Sequence, residues 1–102
     1  MSRSGAELSI DDVEVVDVPE AGRYEARWGG RRVGVAAYQV TDGRIVFPHT
    51  EVEPALEGRG IASRLARQAL DDARARGLKV VPACAFFHMY IRRNPQDADL
   101  LA

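Results

Sequence analysis

Two glycines stand at one-residue spacing in the run Glu57-Gly58-Arg59-Gly60-Ile61-Ala62-Ser63. A β-type segment ends just before them at Val52, and an amphipathic helical pattern starts just after. A strand, a tight glycine loop and a helix start form an anion site, because the first helical turn carries free N–H donors and partial positive charge. Glycine lets the backbone approach a phosphate and take up φ > 0. The same glycines would also suit a plain strand-to-helix turn. The other chemistry-bearing side chains are sparse. Cys84 is expected at the start of a second helix, where a thiolate is favoured; the competing reading is a small buried hydrophobe. His49, His88 and one cysteine are too few for a metal site, so no metal is expected.

The elements that must position these residues follow from pattern. Val13 to Val18 is β-branched and short, a first strand. Pro19-Glu20-Ala21-Gly22 is a turn. Arg23 to Trp28 alternates polar and apolar, a half-buried strand. Gly29-Gly30 and Asp42-Gly43 are hairpin turns on either side of a third strand, Val33 to Val40. Ile45 to Val52 is the fourth strand, with Pro48 at a bulge or an unpaired position. From Gly60 to Arg76 the apolar stripe Ile61, Ala62, Leu65, Ala66, Ala69, Leu70 and Ala73 predicts a helix, stopped by Gly77. Its outer face, Arg64, Arg67, Gln68, Asp71 and Arg74, reads as a solvated surface, with Arg64 in reach of a phosphate; Asp72 and Arg76 form an i,i+4 pair. Leu78 to Val81 is a strand parallel to the fourth, reached by a right-handed crossover. Ala83 to Arg93 is the second helix, ended by Asn94-Pro95, and Gln96 to Leu101 adds a helical turn.

At 102 residues the chain is expected to be one domain, 1–102, with residues 1 to about 11 a flexible lead-in. A formal net charge of −1 gives no reason to expect nucleic acid or an anionic membrane as the main partner. No apolar run reaches the length of a membrane span, no secretory leader pattern opens the chain, and a single cysteine forms no internal disulfide. These features point to a cytoplasmic protein.

The loop run resembles the acyl-coenzyme A signature of the GNAT N-acetyltransferases, Gln/Arg-x-x-Gly-x-Gly/Ala. Glu57 departs from the usual first residue and removes one possible phosphate-facing donor. Further runs resemble the very short, single-domain members of that superfamily: His49-Thr50-Glu51-Val52 before the loop, Val80-Val81-Pro82-Ala83-Cys84 after the last strand, and Tyr90-Ile91-Arg92-Arg93-Asn94-Pro95. Ala85 stands where proline is common. The element order over residues 13 to 101 also matches. The resemblance implies a GNAT-like α/β fold, a mixed and mostly antiparallel sheet of about five strands with a strand–helix–strand crossover and a C-terminal helix. It implies acetyl-CoA as co-substrate and a primary amine, small or on a protein, as acceptor. Loop amides from Glu57 to Ser63 would bind the pyrophosphate. Amides near Val52, where the fourth and fifth strands splay apart, would polarise the thioester. Glu51 would take the proton of an ammonium nucleophile, against the reading of an exposed strand glutamate. Tyr90 would protonate the leaving thiolate, against the reading of a core residue with its hydroxyl at the surface. Cys84, beside the thioester, is the third catalytic candidate. Only Pro19 to Gly22 stands where larger relatives place two helices beside the acceptor. An open acceptor side fits a large acceptor, an oligomer that completes the site, a non-catalytic acyl-CoA-binding module or a small interaction domain.

Overall fold

The computed structural model describes residues 8–102. Five strands form one sheet in the order β1-β2-β3-β4-β5. They are β1 (Glu14–Val18), β2 (Arg23–Trp28), β3 (Arg31–Thr41), β4 (Arg44–Val52) and β5 (Lys79–Val81). The first four run antiparallel, while β5 lies parallel to β4. Both hairpin turns place two successive residues at positive φ, Gly29-Gly30 and Asp42-Gly43. That is the type I′ geometry whose twist matches the flanking strands. The crossover helix α1 (Ile61–Ala75) and the helix α2 (Ala85–Arg93) follow β4 and β5. A 3-10 helix (Pro95–Leu100) closes the fold.

Both helices cover the same face of the sheet. The predicted stripe of α1 is buried except for Ala62, which is half-buried, and its alanines let the helix lie close to β2, β3 and β4. From α2 comes Phe87, stacked on Phe47 of β4 with ring centroids 4.1 Å apart. Tyr24 is buried in the same core, and its hydroxyl donates to Asp72 at 2.9 Å.

A bulge in β4 sets the phase of the strand. Ala37 pairs with His49 and Gln39 with Val46, so Tyr38 alone opposes Phe47 and Pro48. Proline has no N–H to lose there. Ile45 and Phe47 face the helices and are buried. Past the extra residue the alternation reverses. Thr50 now reaches Cys84 on the helix side, whereas His49 and Glu51 share the open face. Without the bulge, Glu51 would point where Ile45 and Phe47 point, into the core.

Several expectations are corrected. Met1 to residue 7 lie outside the described residues, but the rest of the expected lead-in is fixed: Leu8 joins the core and Ile10–Asp12 forms a 3-10 turn. Arg64 does not face a ligand. Its guanidinium donates to the carbonyls of Ile10 (3.1 Å) and Val13 (3.2 Å), pinning that segment to α1. The outer face of α1 is a docking surface as well as a wet one. Arg67 makes a two-pronged pair with Asp97, both bonds 2.8 Å, and Arg74 reaches Asp99 at 2.7 Å. Asp97 is 2% exposed, so this network ties the closing 3-10 helix onto α1. The i,i+4 ion pair of α1 is Arg67–Asp71; Asp72 instead accepts from Tyr24 and Gln68. The second helix starts at Ala85, two residues later than expected, with Cys84 as its N-cap residue. Among the described residues no helix is long and apolar enough to cross a membrane.

Candidate active site

The site is built where β4 and β5 part. Their ladder ends at the pair Val46–Val81, and the last backbone link between the two segments is the Cys84 amide to the Phe47 carbonyl, 2.9 Å. On the other edge of β4, the Glu53 amide donates to the Val33 carbonyl at 2.9 Å. By strand alternation the Val52 amide therefore points away from β3, into the notch left by β5.

The connection from β4 to α1 closes one end of the notch. Pro54–Leu56 makes a 3-10 turn, and Leu56, 1% exposed, anchors it in the core. Gly58 and Gly60 then take φ of 81° and 89°. A Cβ on Gly60 would meet nothing nearer than Ile10, at 3.8 Å, and one on Gly58 would meet nothing within 4 Å. The loop therefore needs glycine for its backbone conformation and not for space. Gly60 is the N-cap residue and supplies no side-chain cap; the first helical bond runs from the Arg64 amide to the Gly60 carbonyl. The amides of Ile61, Ala62 and Ser63 precede that bond, so they stand as donors at the positive end of α1.

These parts enclose a cleft of about 400 Å³. Glu51, Val52, Glu57, Gly58, Gly60, Ile61, Ala62 and Ser63 all line it, whereas Arg59 lies outside the wall. Thr50, Leu56 and Phe86 line it too, and the sequence had given none of them a role in the site. Phe86 had a usable signal: it precedes Tyr90 by four residues, so the two share one face of α2.

The three catalytic candidates are placed differently. Glu51 is on the wall, 71% exposed, and its carboxylate lies 3.2 Å from His49 Nε2. Cys84 stands behind Thr50, its Sγ 3.2 Å from Thr50 Oγ1. Tyr90 is a turn further along α2, its ring 6.1 Å from that of Phe86, with the Arg67 guanidinium 6.0 Å above its centroid. His88 is exposed on α2 and is not part of the cleft wall. No cluster of three or more His, Cys, Asp or Glu suited to a metal occurs among the described residues.

The end of β4 also bounds a second groove of about 400 Å³, which shares Glu51 and Val52 with the cleft. Arg23 and Arg32 line it on the open face of the sheet. Between β1 and β2 the connection is only the 3-10 turn Pro19–Ala21, so among the described residues no helix covers this side.

Comparison with known proteins agrees with this architecture. Residues 23–100 match the family model described as GCN5-related N-acetyl-transferase. Protein NATD1 of Gallus gallus and of Mus musculus are each 42% identical over 62 residues, 60% of this chain and 56% of theirs. Protein NATD1 of Homo sapiens is likewise 42% identical, over 55% of its length. The match thus spans little more than half of these relatives. The NMR solution structure of a GCN5-like protein from Staphylococcus aureus superposes with a TM-score of 0.70, covering 91% of both chains at 19% identity, a likeness of fold. With this match across most of its length and a five-stranded mixed sheet notched between β4 and β5, the chain belongs to the GCN5-related N-acetyltransferase family.

Proposed function

We propose that this protein, acting as a single domain, transfers an acetyl group from acetyl-CoA to a primary amine. The observation that carries the reading is the notch itself: free amides of Ile61, Ala62 and Ser63 at one end and the Val52 amide along its edge. Pyrophosphate oxygens would accept from the first group. The pantetheine arm would lie along β4 as an added extended segment. The Val52 amide would then meet the thioester carbonyl, and such a donor stabilises a developing oxyanion by about 3 kcal/mol.

In the reaction the amine lone pair attacks the carbonyl carbon, the C–S bond breaks as the nitrogen gives up its second proton to water and the amide forms, and coenzyme A leaves as a thiolate that takes up a proton. Glu51 takes the proton of the ammonium group, through water given its exposure. We assign Tyr90 as the donor to the thiolate. Attack is direct, because two reactants held in line gain little from a further covalent step. Cys84 then acts by packing behind Thr50. The alternative is an acyl-cysteine, which intact-protein mass spectrometry after incubation with acetyl-CoA alone would reveal as one added acetyl group on Cys84. We place the protein in the reducing cytoplasm, where its lone thiol persists.

The exposure of Glu51 and the uncovered open face favour a second reading, a module that binds acyl-CoA without turnover. Thiol release from acetyl-CoA over a panel of amines, with coenzyme A binding measured by calorimetry, decides between them. Binding with amine-dependent thiol release is expected. Binding without release leaves the module, and absence of binding refutes both.

A further inference from the structure

On the open face of the sheet, Glu25 of β2 pairs across to Val35 of β3, and Val35 pairs across to Glu51 of β4. Three arginines surround Glu25. Arg27 donates to its Oε1 from Nη2 (2.8 Å) and Nε (3.2 Å), and Arg23 Nε donates to Oε2 (2.8 Å). Those bonds use both carboxylate oxygens, and Glu25 is only 7% exposed. Arg32 approaches no nearer than 3.9 Å, too far for a hydrogen bond, and its side chain is 55% exposed. With Glu14 of β1 standing opposite Arg27, two carboxylates against three guanidinium groups leave a surplus of one positive charge. Arg32 stands beside two like charges and, among the described residues, makes no hydrogen bond to a carboxylate.

The second groove is where that surplus faces. Its charged lining residues are Arg23, Arg32, Glu51 and Glu53. Arg31 already holds Glu53 at 3.0 Å. One end therefore presents Arg32 with a share of Arg23, and the other presents Glu51, whose carboxylate lies 3.2 Å from His49 outside the groove lining. Arg32 lies on β3 three residues from Val35, the cross-strand partner of Glu51, so the two ends are separated at the backbone by one strand spacing across and three residues along, roughly 11 Å, less the reach of the side chains.

We propose that this groove receives an anionic group of the acceptor, so that the acceptor is a primary amine carrying a carboxylate or a phosphate a few bonds away. The inference rests on the acetyl-transfer reading for its biological sense, though the anion subsite stands or falls by itself. The amine lies at Glu51, on the wall shared with the cleft, and the anion lies on the guanidinium of Arg32. The hydrogen bonds from Arg27 and Arg23 hold the Glu25 carboxyl below its ordinary titration range, so it stays ionised and keeps the two flanking arginines aligned.

Matched probes test this. Phosphoethanolamine is compared with ethanolamine, and β-alanine with propylamine, first as ligands followed by NMR on the arginine side-chain N–H signals, then as acceptors by kcat/KM. In the parent protein each anionic member should bind about tenfold more tightly than its neutral partner at low salt, as expected for charged hydrogen bonds at a part-exposed site. Arg32→Ala should bring that ratio close to one, and Arg32→Lys should restore part of it. The tighter of the two anionic probes identifies the anion. Equal binding of charged and neutral partners in the parent, or an unchanged ratio in Arg32→Ala, overturns the proposal. If the ratio behaves as stated but no amine is acetylated, the subsite stands and the transferase reading fails.

Discussion

Replacing Gly34 by alanine adds one methyl group where β3 meets the start of α1. Its Cβ would lie 3.1 Å from Ile61 Cγ2, 3.3 Å from Leu65 Cδ1 and 3.3 Å from the Glu51 carbonyl oxygen. All three are inside the optimal separation of about 3.5–4.0 Å. The side chains of Ile61 and Leu65 have some room to turn, but the carbonyl belongs to the β4 backbone. Gly34 sits in a strand at ordinary φ, so alanine fits the backbone and gains about 0.4–1 kcal/mol by stiffening the unfolded chain. Overpacking a fitted core costs about 1–3 kcal/mol. The net effect is a loss of about 1–2 kcal/mol, or roughly 5–15 °C in Tm for a domain of this size. Relief of the clash moves Ile61, and with it the amides of the first turn, so coenzyme A affinity in the folded variant should fall several-fold. Thermal unfolding by circular dichroism and calorimetric titration read the two effects. Leu65→Ala removes one of the three contacts, so the double variant should lose less than the sum of the singles. An unchanged or higher Tm, or strict additivity with Leu65→Ala, would refute the argument that β3 fixes the position of the site through this contact.

Asp97→Asn breaks the buried end of the Arg67 pair. With Arg67 35% exposed, screening reduces the usual cost of breaking a buried pair to about 1–2 kcal/mol, seen as a lower urea midpoint at neutral pH. The Arg67 hydrogen bond holds the Asp97 carboxyl below its ordinary value, so its contribution is present at neutral pH and disappears as pH falls below about 4; acid titration of stability should be shallower in the variant. Burial, helped by the bond to Asp17, pushes the Tyr38 hydroxyl up to about 12, so stability should decline as pH rises from about 10 towards that value, and Tyr38→Phe should remove that part of the slope. Gly60→Asp puts a carboxylate and a Cβ at a φ of 89° beside the first-turn amides; coenzyme A affinity should fall about tenfold or more by calorimetry, and unchanged affinity would exclude this loop as the phosphate site.

What was readable in the sequence is what leaves a local or periodic mark. Paired turn residues located both hairpins, the stripe from Ile61 to Ala73 located α1, and Gly58 with Gly60 located the loop. Pro48 announced the bulge, because proline in a central strand has few other places to go. The consequence of the bulge for Glu51 was hidden, since the phase after it depends on how β3 pairs. Long-range polar partners were hidden too. Arg67 and Asp97 are thirty residues apart, and charges on a helix face look alike whether they meet water or a distant carboxylate. Arg64 was misjudged for the same reason, since its acceptors are backbone carbonyls with no sequence signature. The surplus around Glu25 needed the cross-strand register of β2 and β3 before Arg32 could be seen as the unsatisfied member.

The sheet order has a kinetic meaning. β1 to β4 follow one another in space as in sequence, joined by short connections, so their pairing involves little loop closure. β5 is different: it can pair with β4 only after the whole of α1 has crossed over, and it then contributes just three residues. The meander is therefore expected to form early and β5 with α2 to dock late, which makes the notch one of the last features of the molecule to exist. Unfolding should begin there as well, and a ligand spanning the notch would act as a clasp on the least secure seam. Native-state hydrogen exchange should show faster opening at Val80 and Val81 than at Tyr24 and Ala36, with the gap narrowing when coenzyme A is added; equal protection in all four would contradict this order.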